Sequence, residues 1–340
     1  MKNISDLTLE ELKAELEKID EPAYRAEQIF GWLYKKGVFR FKEMTDLSKN
    51  LKERLASAYV IGKLELCGVF KAKDRTEKYL FRLADGYGIE TVLIPATGRK
   101  TLCLSTQVGC KFACAFCASG LKGFIRNLAP SEIVGQVLHF KNSLEAPLTN
   151  IVFMGMGEPL DNFENLAKAI RILNSPQGLE IAARRMTVST CGIVPGMERF
   201  KRLGLQVNLS ISLHAATDTK RDQLLPVNRK YPLKKVIKAC QDYIRKGGRK
   251  ITLEYVLLKG ANDSLADADG LARIAKRLKA KVNLIPYSPV PGLPYEVPNE
   301  KGIQFFLSRL EEKKIPVTLR RSKGADIQAA CGQLAGRINK

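Results

Sequence analysis

The sequence predicts an α/β fold: a partial barrel of about six βα units, preceded by a small helical domain and a short β extension. Three observations carry this expectation. The stretch 1–60 shows helical periodicity and no strand pattern. From Thr101 onward, apolar strands alternate with amphipathic helices to the end of the chain. Several of those strands are unbroken apolar runs, the pattern of a parallel sheet covered on both faces by helices.

Taken in order, Leu7-Thr8-Leu9-Glu10-Glu11-Leu12 opens an amphipathic helix, and Pro22 can occupy the first turn of the next, Ala23 to Lys35. That second helix places Ile29, Trp32 and Leu33 on one face, so Trp32 is expected in the core rather than as a base-stacking platform. A third helix runs from about Leu47 to Ala58. The segment 61–95 is the β extension, with strands Lys78 to Leu83 and Ile89 to Ile94 joined across Asp85-Gly86-Tyr87-Gly88. The segment 96–330 is the barrel core. Its strands are Thr101 to Thr106, Asn150 to Met154, Met186 to Ser189, Val207 to Leu213, Ile251 to Leu258, Val282 to Pro286 and Val317 to Arg320. Helices are expected at Pro130 to Phe140, Phe163 to Leu173, Leu233 to Arg245, Leu265 to Leu278 and Gly302 to Glu312. Barrels of this kind place their chemistry at the C-terminal ends of strands, which makes the motifs just after strands the ones to read. The segment 331–340 follows the core.

Among 340 residues, 56 are Lys or Arg and 35 are Asp or Glu, a formal charge of +21. A well-solvated basic surface is one reading; a polyanionic partner such as nucleic acid is the sharper one. Met1 to Glu11 lacks the basic-then-apolar pattern of a signal peptide, and no run reaches the ~18 apolar residues of a membrane span. The expectation is a cytoplasmic protein without a membrane partner. Eight cysteines in such a chain read as metal or catalytic ligands rather than as a disulfide framework.

Cys110, Cys114 and Cys117 follow the first barrel strand in a C-x3-C-x2-C run. Three thiolates at that spacing suit three corners of a cubane [4Fe–4S] cluster, leaving one iron open. Structural zinc is the alternative, but such sites normally close with four ligands, and the two histidines, His139 and His214, lie outside the loop. This loop, in this place in a partial barrel, resembles the radical S-adenosylmethionine superfamily, making the expected fold a partial (βα)6 radical-SAM barrel. The resemblance implies a [4Fe–4S] cluster whose open iron chelates S-adenosylmethionine. One electron then cleaves the cofactor to a 5′-deoxyadenosyl radical.

The resemblance also marks a cofactor cradle. Met154-Gly155-Met156-Gly157-Glu158-Pro159 follows the second strand, and Gly157 and Glu158 match the family's contact to the methionyl amine. Ser189 ends the third strand, and Ser212-Leu213-His214 ends the fourth; both resemble cofactor-contact positions. A hydrogen-bonded structural histidine is the other reading of His214. At the sixth strand Ser288 stands where close relatives carry Asn at an adenine contact.

Ala329-Ala330-Cys331-Gly332-Gln333-Leu334, together with Cys103 and the cysteine run, resembles the adenine-C2 methyltransferases of 23S rRNA and tRNA and their C8-acting sisters, over the whole chain. Adenine C2 is electron-poor and cannot attack a methyl sulfonium, whereas a thiolate can. The resemblance implies two S-adenosylmethionines per turnover. One methylates Cys331; the radical from the other converts that methyl to a methylene radical, which adds to C2 as a covalent RNA adduct. Cys103 takes the C2 proton and attacks the Cys331 sulfur, leaving a transient disulfide. Glu90 matches a proposed base and reads otherwise as an edge-strand surface charge. Cys67, Cys191 and Cys240 read as small buried residues.

The implied partners are 23S rRNA, tRNA and an electron donor such as flavodoxin or ferredoxin. Arg184-Arg185, Arg229-Lys230, Arg320-Arg321 and Lys323 are expected near the barrel mouth, and Lys122 and Arg126 flank the cysteine loop. Together they suggest a phosphate-gripping rim around a flipped adenine, with the helical start helping to recognise RNA shape. Two alternatives stay open at this stage: the C8-methylating relative, and a non-catalytic, metal-stabilised RNA-binding module.

Overall fold

A computed structural model describes residues 1–121, 123–141 and 148–336. Its N-terminal part is built from helices α1 (Leu9–Glu17), α2 (Tyr24–Phe30) and α3 (Lys49–Ala58), closed by the parallel pair β1 (Lys2–Asn3) and β2 (Tyr59–Val60). Thr8 and Glu11 form a reciprocal capping box on α1, and the Ser48 hydroxyl caps α3. Leu12, Leu16, Ile29, Phe30, Leu33, Leu51 and Leu55 make the buried face. Trp32 departs from expectation. The chain leaves α2 in a π-type turn, Gly31–Lys35, which carries Trp32 to the rim of this core. There its indole N–H donates to Asp46 at 2.6 Å and Lys36 covers its ring at 3.2 Å.

The β extension is an antiparallel meander of β3 (Glu65–Lys71), β4 (Glu77–Arg82) and β5 (Gly88–Ala96), which pairs on to β6 (Arg99–Cys103). A small hairpin follows, β7 (Gln107–Gly109) with β8 (Phe124–Asn127), bracketing the short helix α4 (Ala118–Leu121). The remaining chain runs α5 (Pro130–Lys141), β9 (Asn150–Phe153), α6 (Phe163–Asn174), β10 (Met186–Thr190), α7 (Val194–Phe200), β11 (Asn208–Ser212), α8 (Asp218–Leu224) and α9 (Leu233–Arg245). It ends with β12 (Thr252–Leu257), α10 (Leu265–Leu278), β13 (Lys281–Pro286), α11 (Glu300–Glu312) and β14 (Val317–Leu319).

All but four strands join one sheet, ordered β14-β13-β12-β11-β10-β9-β6-β5-β4-β3. Every neighbouring pair from β6 to β14 is parallel, so six crossovers link seven barrel strands. The sheet ends at β3 and β14, which leaves the barrel partial. Both faces of β12 are fully buried, the expected condition of an apolar parallel strand under helices. No helix among the described residues is long and apolar enough to cross a membrane.

Candidate active site

The C-terminal ends of the parallel strands surround a cavity of about 980 Å³, open space included, within the range of small-molecule sites. Cys110, Cys114, Cys117, Gly157, Glu158, Ser189, Ser212, His214 and Cys331 all line it. Of the remaining expected site residues, Cys103, Leu213, Ser288 and Glu90 are buried but lie outside its wall.

The cysteine loop does not hang directly from the first barrel strand. It is the connection of the β7–β8 hairpin, closed where the Cys110 N–H donates to the Gly123 carbonyl at 3.0 Å. Ala115 N–H ties it to Leu224 at the end of α8, and Ala118 N–H ties it to Gly332 beside Cys331. The Ser119 hydroxyl adds a bond to the Leu334 carbonyl at 2.7 Å. The loop and the Cys331 segment are therefore held as one unit although some 215 positions separate Ser119 from Leu334. Among the described residues, no three His, Cys, Asp or Glu side chains gather tightly enough for a single metal ion. Three thiols spread along one cavity wall suit a larger cluster, whose several irons take soft thiolate ligands.

Beside the thiols, Glu158 is buried with both oxygens occupied. Oε1 accepts from the Leu160 N–H at 2.9 Å and Oε2 from the Cys191 N–H at 2.8 Å. Burial pushes its carboxyl up, and those backbone donors oppose the shift. Gly157 has φ of +94°, and a Cβ there would stand 2.5 Å from Cβ of Gln107, so the turn accepts no side chain. The Ser189 and Ser212 hydroxyls meet at 3.2 Å on adjacent strands. His214 has φ of +55°, and its Nδ1 accepts the Val256 N–H at 3.0 Å. Burial lowers its pKa to about 3, so the ring is neutral and its proton sits on Nε2. Leu213 contributes its backbone: its N–H donates to Glu254 O and its carbonyl accepts from Arg221 Nε.

Glu90 is not an edge-strand charge, because β5 is an interior strand between β4 and β6. Its Oε1 lies 3.0 Å from Lys78 Nζ, and its Oε2 accepts the N–H groups of Ala335 (2.7 Å) and Gly336 (3.0 Å). Lys78 also donates to the Gln328 carbonyl at 3.3 Å. This buried pair grips the chain on both sides of Cys331. Cys103 is buried at the end of β6, where burial, reinforced by Cys331 and opposed by Arg320, pushes its thiol up to about 12. All eight cysteines are free thiols. Cys191 and Cys240 are buried as expected, whereas Cys67 is exposed because β3 is an edge strand open on both faces.

The basic positions divide. Arg184 and Arg185 precede β10, at the opposite end of the barrel from the cavity. Arg126 is neutralised by Glu132 and Asp85, Arg321 by Glu300, and Lys323 donates to the Pro95 carbonyl. Arg229 and Lys230 are exposed on the turn after α8. Arg320 lines the cavity itself rather than its rim. Lys122 lies outside the described residues. Three contributors escape a reading of motifs. Gln107 Oε1 accepts the Glu158 N–H; the buried Arg221 donates to the carbonyls of Cys191 and Leu213 and to Asn228; and Glu254 on β12 faces the cavity. No local pattern marks them, since each acts through partners distant in sequence.

Comparison with known proteins agrees with this geometry. A model of the radical SAM superfamily matches residues 104–270, and one for the N-terminal domain of ribosomal RNA large subunit methyltransferases matches residues 2–61. A dual-specificity RNA methyltransferase RlmN of Geotalea uraniireducens is 45% identical over 99% of this chain and 98% of its own. That of Geobacter sulfurreducens is 46% identical over 100% of this chain and 93% of its own. The crystal structure of a radical SAM methyltransferase from Sphaerobacter thermophilus superposes with a TM-score of 0.93 at 44% identity, covering 99% of this chain and 100% of that one. With a full-length match in both sequence and fold, the chain belongs to the RlmN family of dual-specificity RNA methyltransferases, within the radical SAM superfamily.

Proposed function

We propose that the chain methylates C2 of a specific adenine in 23S rRNA and of the adenine 3′ to the anticodon in certain tRNAs, with Cys331 carrying the methyl carbon. The observation that supports this most is the placement of Cys331 in the wall of the cavity that also holds Cys110, Cys114 and Cys117. A non-catalytic RNA-binding module has no use for a thiol held there.

Cys110, Cys114 and Cys117 would hold a [4Fe–4S] cluster, and Gly157, Glu158, Ser189, Ser212, Leu213, His214 and Ser288 would take S-adenosylmethionine, two per turnover. When bound, these groups supply a methyl group and a reductively generated 5′-deoxyadenosyl radical. The protein's part is positional. Of the two thiols, Cys331 is the one open to the cavity, whereas Cys103 is buried and protonated at rest, so methylation falls on Cys331. Cys103 must first give up its own proton. As a thiolate it would take the C2 proton, and its attack on the Cys331 sulfur would then break the S–CH2 bond. The proton passes to the methylene carbon, which leaves on the base as a methyl group while the disulfide closes. Glu90 is committed to Lys78 and to two backbone N–H groups; in this state it seats the Cys331 segment, and service as the base requires release of those bonds.

Arg229 and Lys230 are the exposed cations we assign to phosphate, with the helical segment 1–60 recognising RNA shape. The reaction needs a one-electron donor of the flavodoxin or ferredoxin type and suits the cytoplasm. Anaerobic incubation with RNA, reductant and S-adenosylmethionine, followed by nucleoside mass spectrometry, tests the assignment. It predicts 2-methyladenosine; 8-methyladenosine would reassign the chain to the C8 reaction.

A further inference from the structure

Two charged side chains in the cavity have no part in the scheme above. Glu254, on β12, is 4% exposed. Its Oε1 accepts from Asn283 Nδ2 at 3.0 Å, while its Oε2 is buried with no partner in hydrogen-bonding geometry, the Ser210 side chain lying close enough only to favour the charged form. Leaving a buried acceptor unsatisfied is costly, more so for a charged group, so such a group marks a place for a donor. Arg320, just beyond β14, lines the same cavity. Among the described residues its guanidinium makes no ion pair, and its Nη1 meets the thioether sulfur of Met154 at 3.8 Å.

Their backbones are separated by β13. Glu254 sits level with Asn283, and Asn283 with Thr318, two residues before Arg320. Two strand spacings across and two residues along put their backbones about 12 Å apart. Arg320 lies within electrostatic reach of Cys331, Glu254 and Cys103. The sheet order carries Glu254 on β12 and Arg320 at the end of the edge strand β14, from which the chain runs on to Cys331, and all three side chains line the one cavity.

We propose that Glu254 and Arg320 read the Watson–Crick edge of the target adenine, Glu254 accepting from the exocyclic amine and Arg320 donating to N1. This deepens the function proposed above and rests on it. Along that edge the amine, N1 and C2 follow one another, matching Glu254, Arg320 and Cys331 in turn. Guanine presents the reverse pattern, an acceptor at position 6 and a donor at N1, and would meet a carboxylate and a guanidinium it cannot pair with. The cofactor also carries an adenine, but Arg320 leads into the segment that brings Cys331 to the cavity, and the substrate base must lie beside Cys331.

The test is binding of a short RNA hairpin to the anaerobically isolated enzyme, by fluorescence anisotropy, with the target adenine replaced in turn by purine, 1-deazaadenine or 7-deazaadenine. Wild type should bind the purine and 1-deaza hairpins about ten- to a hundredfold more weakly and the 7-deaza hairpin normally. Glu254→Leu should bring the adenine-to-purine ratio close to one, and Arg320→Met should do the same for 1-deazaadenine, with iron content unchanged. The wild-type series needs no variant and overturns the proposal by itself if purine binds as tightly as adenine, or if 7-deazaadenine is the analogue rejected. Variants that weaken S-adenosylmethionine binding but keep the wild-type ratios would assign the pair to the cofactor and also overturn it. If wild type yields no methyladenosine, the enzymatic reading fails; if it does and the ratios survive in the variants, only the edge reading fails.

Discussion

The Ala118 amide donates to the Gly332 carbonyl at 2.7 Å, joining the loop of three cavity-facing thiols to the residue that follows Cys331. One backbone bond thus couples the place where a cluster would sit to the thiol that would carry the methyl group.

Substitution at Gly332 should uncouple them. Its φ is +85°, and a Cβ there would press on the Phe116 carbonyl at 3.3 Å. Gly332→Ala forces a left-handed backbone on an L side chain, costing about 1–2 kcal/mol locally. The variant should retain its iron yet lose most methylation of Cys331, read by peptide mass spectrometry after incubation with S-adenosylmethionine and reductant. Normal methylation would show that the coupling is dispensable.

The Lys78–Glu90 pair should act on stability and on the tail together. Both side chains are more than nine-tenths buried, so removing one partner leaves an uncompensated charge. Lys78→Met should cost about 3 kcal/mol or more in denaturant unfolding. It should also speed proteolysis of the chain after Gln328, because Lys78 and Glu90 anchor residues 328, 335 and 336. Unfolding without faster tail cleavage would restrict the pair to a structural role.

His214 makes a pH prediction. The folded ring titrates at about 3, below its ordinary value of 6.5, because burial disfavours the cation. The unfolded chain therefore binds the extra proton first as pH falls. Its stabilising contribution is intact above ~6.5 and is lost as pH drops from there towards ~3, at up to about 1.4 kcal/mol per pH unit. In chemical denaturation across pH 7 to 5, His214→Gln should show a shallower loss than wild type; parallel curves would contradict the assignment.

Cys103→Ala should trap the covalent RNA adduct, because the sulfur that resolves it is gone. A denaturing gel should show an RNA–protein band absent from wild type. Free methyladenosine released at the wild-type rate would remove Cys103 from the reaction.

Much of this site was legible in the sequence wherever its meaning is local. The cysteine run, Gly157-Glu158 and the strand-end residues Ser189, Ser212 and His214 each carry their signal within a few positions, and the structure brings them to one cavity. Helices α9 and α10 match their expected bounds because their apolar faces repeat over several turns. Strand β3 went unseen because it has no buried face and so no alternation, and the β7–β8 hairpin because its strands are only three and four residues long. The seven-residue helices α7 and α8 are too short to establish a period. Arg221 and Glu254 were unreadable as site residues for another reason, whereas Arg320 was expected at the barrel mouth and stands in the cavity wall. A charged residue in the sequence looks like a solvated one, and only the fold buries Arg221 on α8 and Glu254 on β12.

The most direct measurement is mass spectrometry of nucleosides from RNA treated anaerobically with iron-loaded wild type or with Cys331→Ala, under the same reductant and S-adenosylmethionine. Wild type should yield 2-methyladenosine and the variant none, with equal iron in both. Methyladenosine from the variant at the wild-type level would contradict the assignment of Cys331 as the carrier.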